Sequence, residues 1–112
     1  METRARAERL IQFIEGKIVL KARKALLGVW RFSEPHDAPP DPTKECAIIE
    51  INAKLYFVNE EGQISEGTVE IHQLGLEVTA AAWGDLKGQI VNDKGGARIL
   101  WANQTKWTKK GS

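Results

Sequence analysis

The side chains that could carry chemistry in this chain are few and scattered. There are two histidines, His36 and His72, and a single cysteine, Cys46. A closed zinc site needs three or four ligands in tetrahedral array. Asp37 and Asp41 lie near His36, but no ligand-spacing motif links them to Cys46 or His72, so no metal centre is expected. The sequence contains no G-x-S-x-G, G-x-x-x-x-G-K-[ST] or H-E-x-x-H. Ser33, Ser65 and Ser112 have no evident histidine partner. Glu60/Glu61 and Glu66/Glu70 fall in turns and alternating strands, the usual setting of solvated carboxylates. No catalytic residue and no cofactor is therefore expected. Cys46 adjoins Ala47, Ile48 and Ile49, an apolar run that reads as a buried strand thiol.

Four tryptophans remain: Trp30, Trp83, Trp101 and Trp107. Aromatic rings line sugar and small-ligand pockets, and Trp101, Trp107 and Asn103 are the residues such a groove would use here. The competing role is structural. A small β-domain needs large side chains to fill its core, and tryptophan buries more area than any other residue.

The elements that must position these groups are legible from periodicity. Residues 2–26 read as a helix, with Leu10, Phe13, Ile14, Ile18, Ala22, Ala25 and Leu26 recurring at three- and four-residue spacing as one apolar stripe. Arg6, Arg9, Lys17, Arg23 and Lys24 lie largely off it. Thr3 is a candidate N-cap, Gly16 costs about 1 kcal/mol relative to alanine, and Gly28 ends the helix. Residues 27–110 read as a β-domain. A short strand at 29–32 leads into a proline-rich loop, residues 33–44, that holds Pro35, Pro39, Pro40 and Pro42. Beyond it strand and turn alternate: strands at 47–51 and 54–58, a hairpin loop at 59–62, strands marked by Ile64, Val69 and Ile71 but broken near Gly67, then 76–81, 88–91, 98–102 and 105–108. Turns fall at Asn52-Ala53, Leu74-Gly75, Gly84-Asp85 and residues 92–96. The expected architecture is mainly β, in one domain. An amphipathic helix covers an end or edge of a small antiparallel barrel, or strongly curved sheet, of roughly seven or eight strands.

Two segments align at an offset of fifty residues: Ile49-x-Ile51-x-Ala53-x-x-x-Phe57 with Ile99-x-Trp101-x-Asn103-x-x-x-Trp107. A duplicated meander would explain the match. The closing stretch also resembles the I-x-W-x-N-G-x-x-W-x-R/K ending of small all-β modules that recur in algal and protist proteins. The resemblance covers residues 84–110, with Gln104 where those modules usually carry glycine. It implies a fold and no activity.

Charge is ordered along the chain. Residues 1–26 carry +4, residues 32–86 carry −9 and residues 87–112 carry +5, which with Arg31 leaves a net charge of +1. The basic helix is thus expected to dock on its own acidic β-domain. The alternative is a helix that points away and serves as the attachment device, with Arg9, Phe13 and Lys17 as contacts and Pro39 and Pro40 as a second point of contact. The expected function is a non-enzymatic binding module or accessory subunit of a larger protein assembly. The runner-up is a small-ligand or carbohydrate-binding barrel. The −9 section argues against a wide nucleic-acid footprint, and neither nucleic acid nor an anionic membrane is the expected partner. One unpaired cysteine fits a soluble intracellular protein.

Overall fold

The computed structural model describes the backbone of residues 2–73, 75–93 and 96–110, with side chains from Glu8 onward apart from Asp93. Helix α1 (Glu2–Leu26) is followed by β1 (Gly28–Ser33), β2 (Asp41–Ile51), β3 (Lys54–Val58), β4 (Ile64–His72), β5 (Gly75–Ala80), a 3-10 turn (Ala81–Trp83), β6 (Leu86–Asp93), β7 (Gly96–Trp101) and β8 (Lys106–Lys109). Each strand pairs antiparallel with the next, and β8 returns to β1, with Phe32 opposite Trp107, to close the barrel. The expected helix and curved antiparallel sheet are both present, and the sheet is fully closed.

An up-and-down meander sorts its connections by parity. The β1–β2, β3–β4, β5–β6 and β7–β8 links gather at one end, here called the mouth. The other links and α1 gather at the base. Alternation along each strand then decides what fills the interior. Trp30, Phe32, Cys46, Ile48, Leu55, Phe57, Val78, Ile99, Trp101 and Trp107 point inward and are buried. Arg31, Ala47, Ile49 and Tyr56 alternate with them on the outside.

Three local expectations need correction. First, β4 is continuous through Gly67. Gly67 is there because the Phe57 ring lies where its Cβ would be, at 2.3 Å, so the glycine makes room and breaks nothing. Second, the proline-rich loop shrinks to residues 34–40, since β2 begins at Asp41. The pairing jumps from Arg31 opposite Glu45 to Phe32 opposite Asp41. Pro42, Thr43 and Lys44 bulge out between, which suits a proline that has no N–H to give. Thr43 bonds Asp41 Oδ1 through N–H and Oγ1, at 2.9 and 2.7 Å, and these bonds hold the Asp41 carboxyl below the usual carboxylate range. Third, the fifty-residue repeat aligns opposite faces of the wall ahead of the turn and the same face beyond it, where Phe57 and Trp107 are both buried. Ile49 and Ile51 face solvent, whereas Ile99 and Trp101 are buried. The 52–53 turn has two residues, both at positive φ. The turn after Trp101 takes three, ending on Gln104 at φ 68°. One extra residue in a turn inverts every side chain beyond it. Helix α1 begins at Glu2, so Thr3 lies inside the helix and is not its N-cap; the Leu74 turn position and the tip of the 92–96 turn lie outside the described residues.

Candidate functional site at the barrel mouth and on the helix

Two surfaces compete for a functional role, one at each end of the barrel. The mouth is built on tryptophans. Trp101 and Trp107 are 1% and 2% exposed, with centroids 5.2 Å apart and planes inclined at 67°. Phe57 meets both edge-on. Trp83, carried by the 3-10 turn, sits 6.2 Å from each of the two. Edge-to-face contacts at these distances are favourable aromatic geometry, and they leave no gap for a ligand between the rings. Trp101 and Trp107 thus form the roof of the core, and the half-buried Trp83 lies across them.

Above this floor is a cleft of about 400 Å³ rimmed by Glu34, Asn59, Glu60, Gln63, Asn103 and Thr105, with no basic side chain in its lining. Asn103 is exposed on this rim, where its Oδ1 accepts bonds from Thr105 N–H (3.2 Å) and Oγ1 (2.6 Å). Trp101 Nε1 and Glu60 Oε2 are buried without a hydrogen-bond partner. The 34–40 loop is tied to the rim by His36, whose Nε2 lies 2.9 Å from the Trp101 carbonyl oxygen. The 3-10 turn that carries Trp83 is held by Ser65, whose Oγ accepts the Ala82 N–H at 2.8 Å. Apart from the tryptophans, Asn103 and Glu60, which reads from sequence as a solvated carboxylate, the rim residues carry no sequence signal of their own. Their common signal is position, each lying beside an alternate connection of one meander.

Cys46 lies below the rim, fully inside the wall. Burial, and then the neighbouring Glu60 charge, push its thiol up to about 12. The thiolate is the reactive form, so native Cys46 is expected to react with iodoacetamide at pH 8 about 1,000-fold more slowly than in the urea-unfolded chain. Comparable alkylation rates in the two states would contradict its burial. Because the folded value lies above the unfolded one, this thiol costs stability only as pH rises past the unfolded value, toward 12. Among the described residues, no group of three or more His, Cys, Asp or Glu side chains is placed to hold a metal ion.

At the base, α1 reaches the core by its last two turns, and Gln12, Glu15 and Gly16 line a cleft with Val69, Glu70 and Ile71 of β4. Val19, Ala22 and Leu27 pack against the core cluster, and Leu26 belongs to it. Trp30 Nε1 donates to the Leu26 carbonyl at 2.8 Å, satisfying one of the orphan acceptors of the helix C-terminus. Arg23 reaches the Ala53 carbonyl (2.6 Å) and Glu50 (3.5 Å) on the β2–β3 turn, and Lys109 Nζ donates to the Ala25 carbonyl. The expected docking in cis holds for this side of the helix. Leu10, Ile14 and Ile18 recur at i, i+4 and i+8 with Ile11 beside them, and they stay in solvent at 59%, 48%, 45% and 54% exposure. Phe13 and Leu20 are exposed on the far flank. The reason is helical phase. Val19, Ala22 and Leu26 lie roughly a quarter-turn round from the stripe, and the barrel end is wide enough for one face.

Arg9, Phe13 and Lys17 are exposed on this outer side, with Lys17 Nζ 4.7 Å above the Phe13 ring. Pro39 and Pro40 are exposed at the mouth, beside a separate cleft of about 370 Å³. The helix residues and the proline-loop residues therefore stand at opposite ends of the molecule, as two separate candidate points of contact. No helix among the described residues is long and apolar enough to cross a membrane. No protein-family model matches this chain, and no curated protein or solved structure matches it either.

Proposed function

We propose that this chain is a non-enzymatic binding module, an accessory subunit attached to another protein surface through the outward face of α1. The observation that carries this is the stripe of Leu10, Ile11, Ile14 and Ile18 left in water on a helix whose other end is anchored in the core. Contiguous apolar surface of this kind marks an interaction site. Anchors at i, i+3 or i+4 and i+7 are the pattern of a helix laid into an apolar groove. The outer side carries Lys17, Lys21 and Lys24 among its apolar residues. Glu15 lies on the side of the helix that faces β4. The groove that fits is therefore apolar with an acidic rim.

A photo-crosslinking side chain placed at Ile14 in the full chain, in its native cells, is expected to give one discrete protein adduct. The same group at Thr68, exposed on the barrel wall, gives none. No adduct at Ile14, or the same adducts at both positions, would overturn the proposal.

A second reading, a small ligand or carbohydrate at the mouth, is supported by the cleft and by the unpartnered Trp101 Nε1. It requires Trp83, the one mouth tryptophan with appreciable exposure, to supply the stacking surface. Titration followed by tryptophan fluorescence in wild type and Trp83→Ala separates it from the first.

A further inference from the structure

The mouth cleft holds one donor and one carboxylate oxygen that the protein leaves unmatched. Trp101 is 1% exposed, its ring lines the cleft, and its Nε1 has no hydrogen-bond partner. A Cβ on Gly88 of β6 would lie 3.0 and 3.2 Å from Cε3 and Cδ2 of Trp101. That long edge of the indole is therefore packed on β6. The opposite edge, which carries Nε1, is turned away from β6 and toward the interior of the mouth. Glu60 comes from the β3–β4 link, across the barrel from β7. It is half-buried, and its Oε2 is buried without a partner. Its charge acts on the inward-facing Cys46 thiol, which puts the carboxylate on the interior side of its hairpin. Asn59 fixes that hairpin: its Oδ1 accepts the Glu61 and Gln63 N–H groups at 3.0 and 2.9 Å, and its Nδ2 donates to Gln63 Oε1 at 2.9 Å.

A buried donor and a buried carboxylate oxygen both cost free energy when unpaired, and the protein's own cations do not relieve the second. Lys44 Nζ lies 5.6 Å from the centre of the Phe32 ring, in the separate proline-loop cleft. Lys87 Nζ is engaged by Glu77 at 3.7 Å and Thr79 at 3.2 Å. The mouth cleft has no basic side chain in its lining, and Glu34 adds a second carboxylate to its rim. We infer that this cleft binds a small molecule carrying a protonated amine or guanidine beside an oxygen acceptor. This rests on the ligand reading of the mouth and is independent of attachment through α1. Each part of the ligand matches one group. An N–H of the cation donates to Glu60 Oε2, the oxygen accepts from Trp101 Nε1, and the body lies on Trp83, whose ring also attracts the charge. A quaternary ammonium has no N–H to give, a neutral sugar leaves the carboxylate charge unbalanced, and an anion meets two carboxylates. A cleft of about 400 Å³ is of the size that small ligands occupy.

Two matched pairs of probes test the charge: glucosamine against glucose, and N-acetyl-argininamide against N-acetyl-citrullinamide. Binding to the full chain is read from the indole N–H signals by NMR at about pH 6, where amines are protonated. At least one cation is expected to move the Trp101 Nε1–H signal and to bind about tenfold or more tightly than its neutral match. The Trp30 signal, already bonded to the Leu26 carbonyl, should stay in place. Glu60→Gln keeps the shape and removes the charge, so it should abolish the preference for the cation. Ligand-free Glu60→Gln should be at least as stable as wild type. A fall in its Tm of more than about 4 °C would assign the carboxylate to the fold and overturn the inference. A cation that binds without moving Trp101 Nε1–H would overturn it too. Neutral probes that bind as well as the cations, with Trp83→Ala abolishing binding and Glu60→Gln indifferent, would overturn the inference and leave the ligand reading standing. No binding by any of the four would overturn both.

Discussion

Gly67→Val is expected to abolish the folded barrel, and Gly67→Ala to destabilise it by about 3 kcal/mol, at the upper end of the usual cost of overpacking a core. A Cβ at this position would lie 2.3, 2.6 and 2.8 Å from three carbons of the Phe57 ring. The ring has nowhere to retreat. Phe57 is fully buried and is held edge-on by Trp101 at 5.6 Å and Trp107 at 6.2 Å. In a domain of this size, about 3 kcal/mol corresponds to a fall in Tm of roughly 12–24 °C. Differential scanning calorimetry of Gly67→Ala measures it, and a shift under about 3 °C would mean that the Phe57 ring does not occupy the glycine's side-chain space. The double variant Gly67→Ala, Phe57→Leu provides the control. The smaller side chain relieves the clash, so the two substitutions should cost less together than the sum of the singles.

Trp101→Ala should cost about 3–5 kcal/mol, the range for emptying a large aromatic site in a core, with the lost edge-to-face contacts to Phe57, Trp83 and Trp107 adding to it. Against a total stability of roughly 5–15 kcal/mol, that places the variant near its unfolding midpoint at physiological temperature. Urea titration of Trp101→Ala and Asn103→Ala distinguishes a core residue from a rim residue. The first loses most of its stability. The second loses about 1 kcal/mol, the worth of a capped turn. A fully stable Trp101→Ala would return Trp101 to the surface role that the sequence alone allows.

These outcomes follow from features of different visibility. The helix end at Leu26, the 52–53 turn and the strand over 54–58 are visible locally, because each depends on the type of a few adjacent residues. A glycine after an apolar-periodic segment ends a helix wherever it occurs. The function of Gly67 is not visible in this way. A glycine in a strand pattern reads as a break, and only the ring of Phe57, reached across the β3–β4 register, explains why nothing larger fits. Charge order was a weaker guide. It marked a basic helix and an acidic barrel, and Arg23 with Glu50 realises part of that pairing. It carried no information on which face of α1 would turn inward.

What the sequence determined by itself was class and order: one N-terminal helix, antiparallel strands joined by short turns, an aromatic interior and the absence of any recognisable catalytic spacing. Periodicities of 3.6 and 2 are written into local order, so they survive without coordinates. The tertiary structure decided closure, parity and phase. Closure placed β8 against β1. Parity put the tryptophan-roofed cleft and the proline loop at the mouth and the helix at the base. Phase chose Val19, Ala22 and Leu26 for the core and left Leu10, Ile11, Ile14 and Ile18 outside. The stripe in the sequence is wider than one contact face, and only the width of the barrel end fixes which part of it is covered.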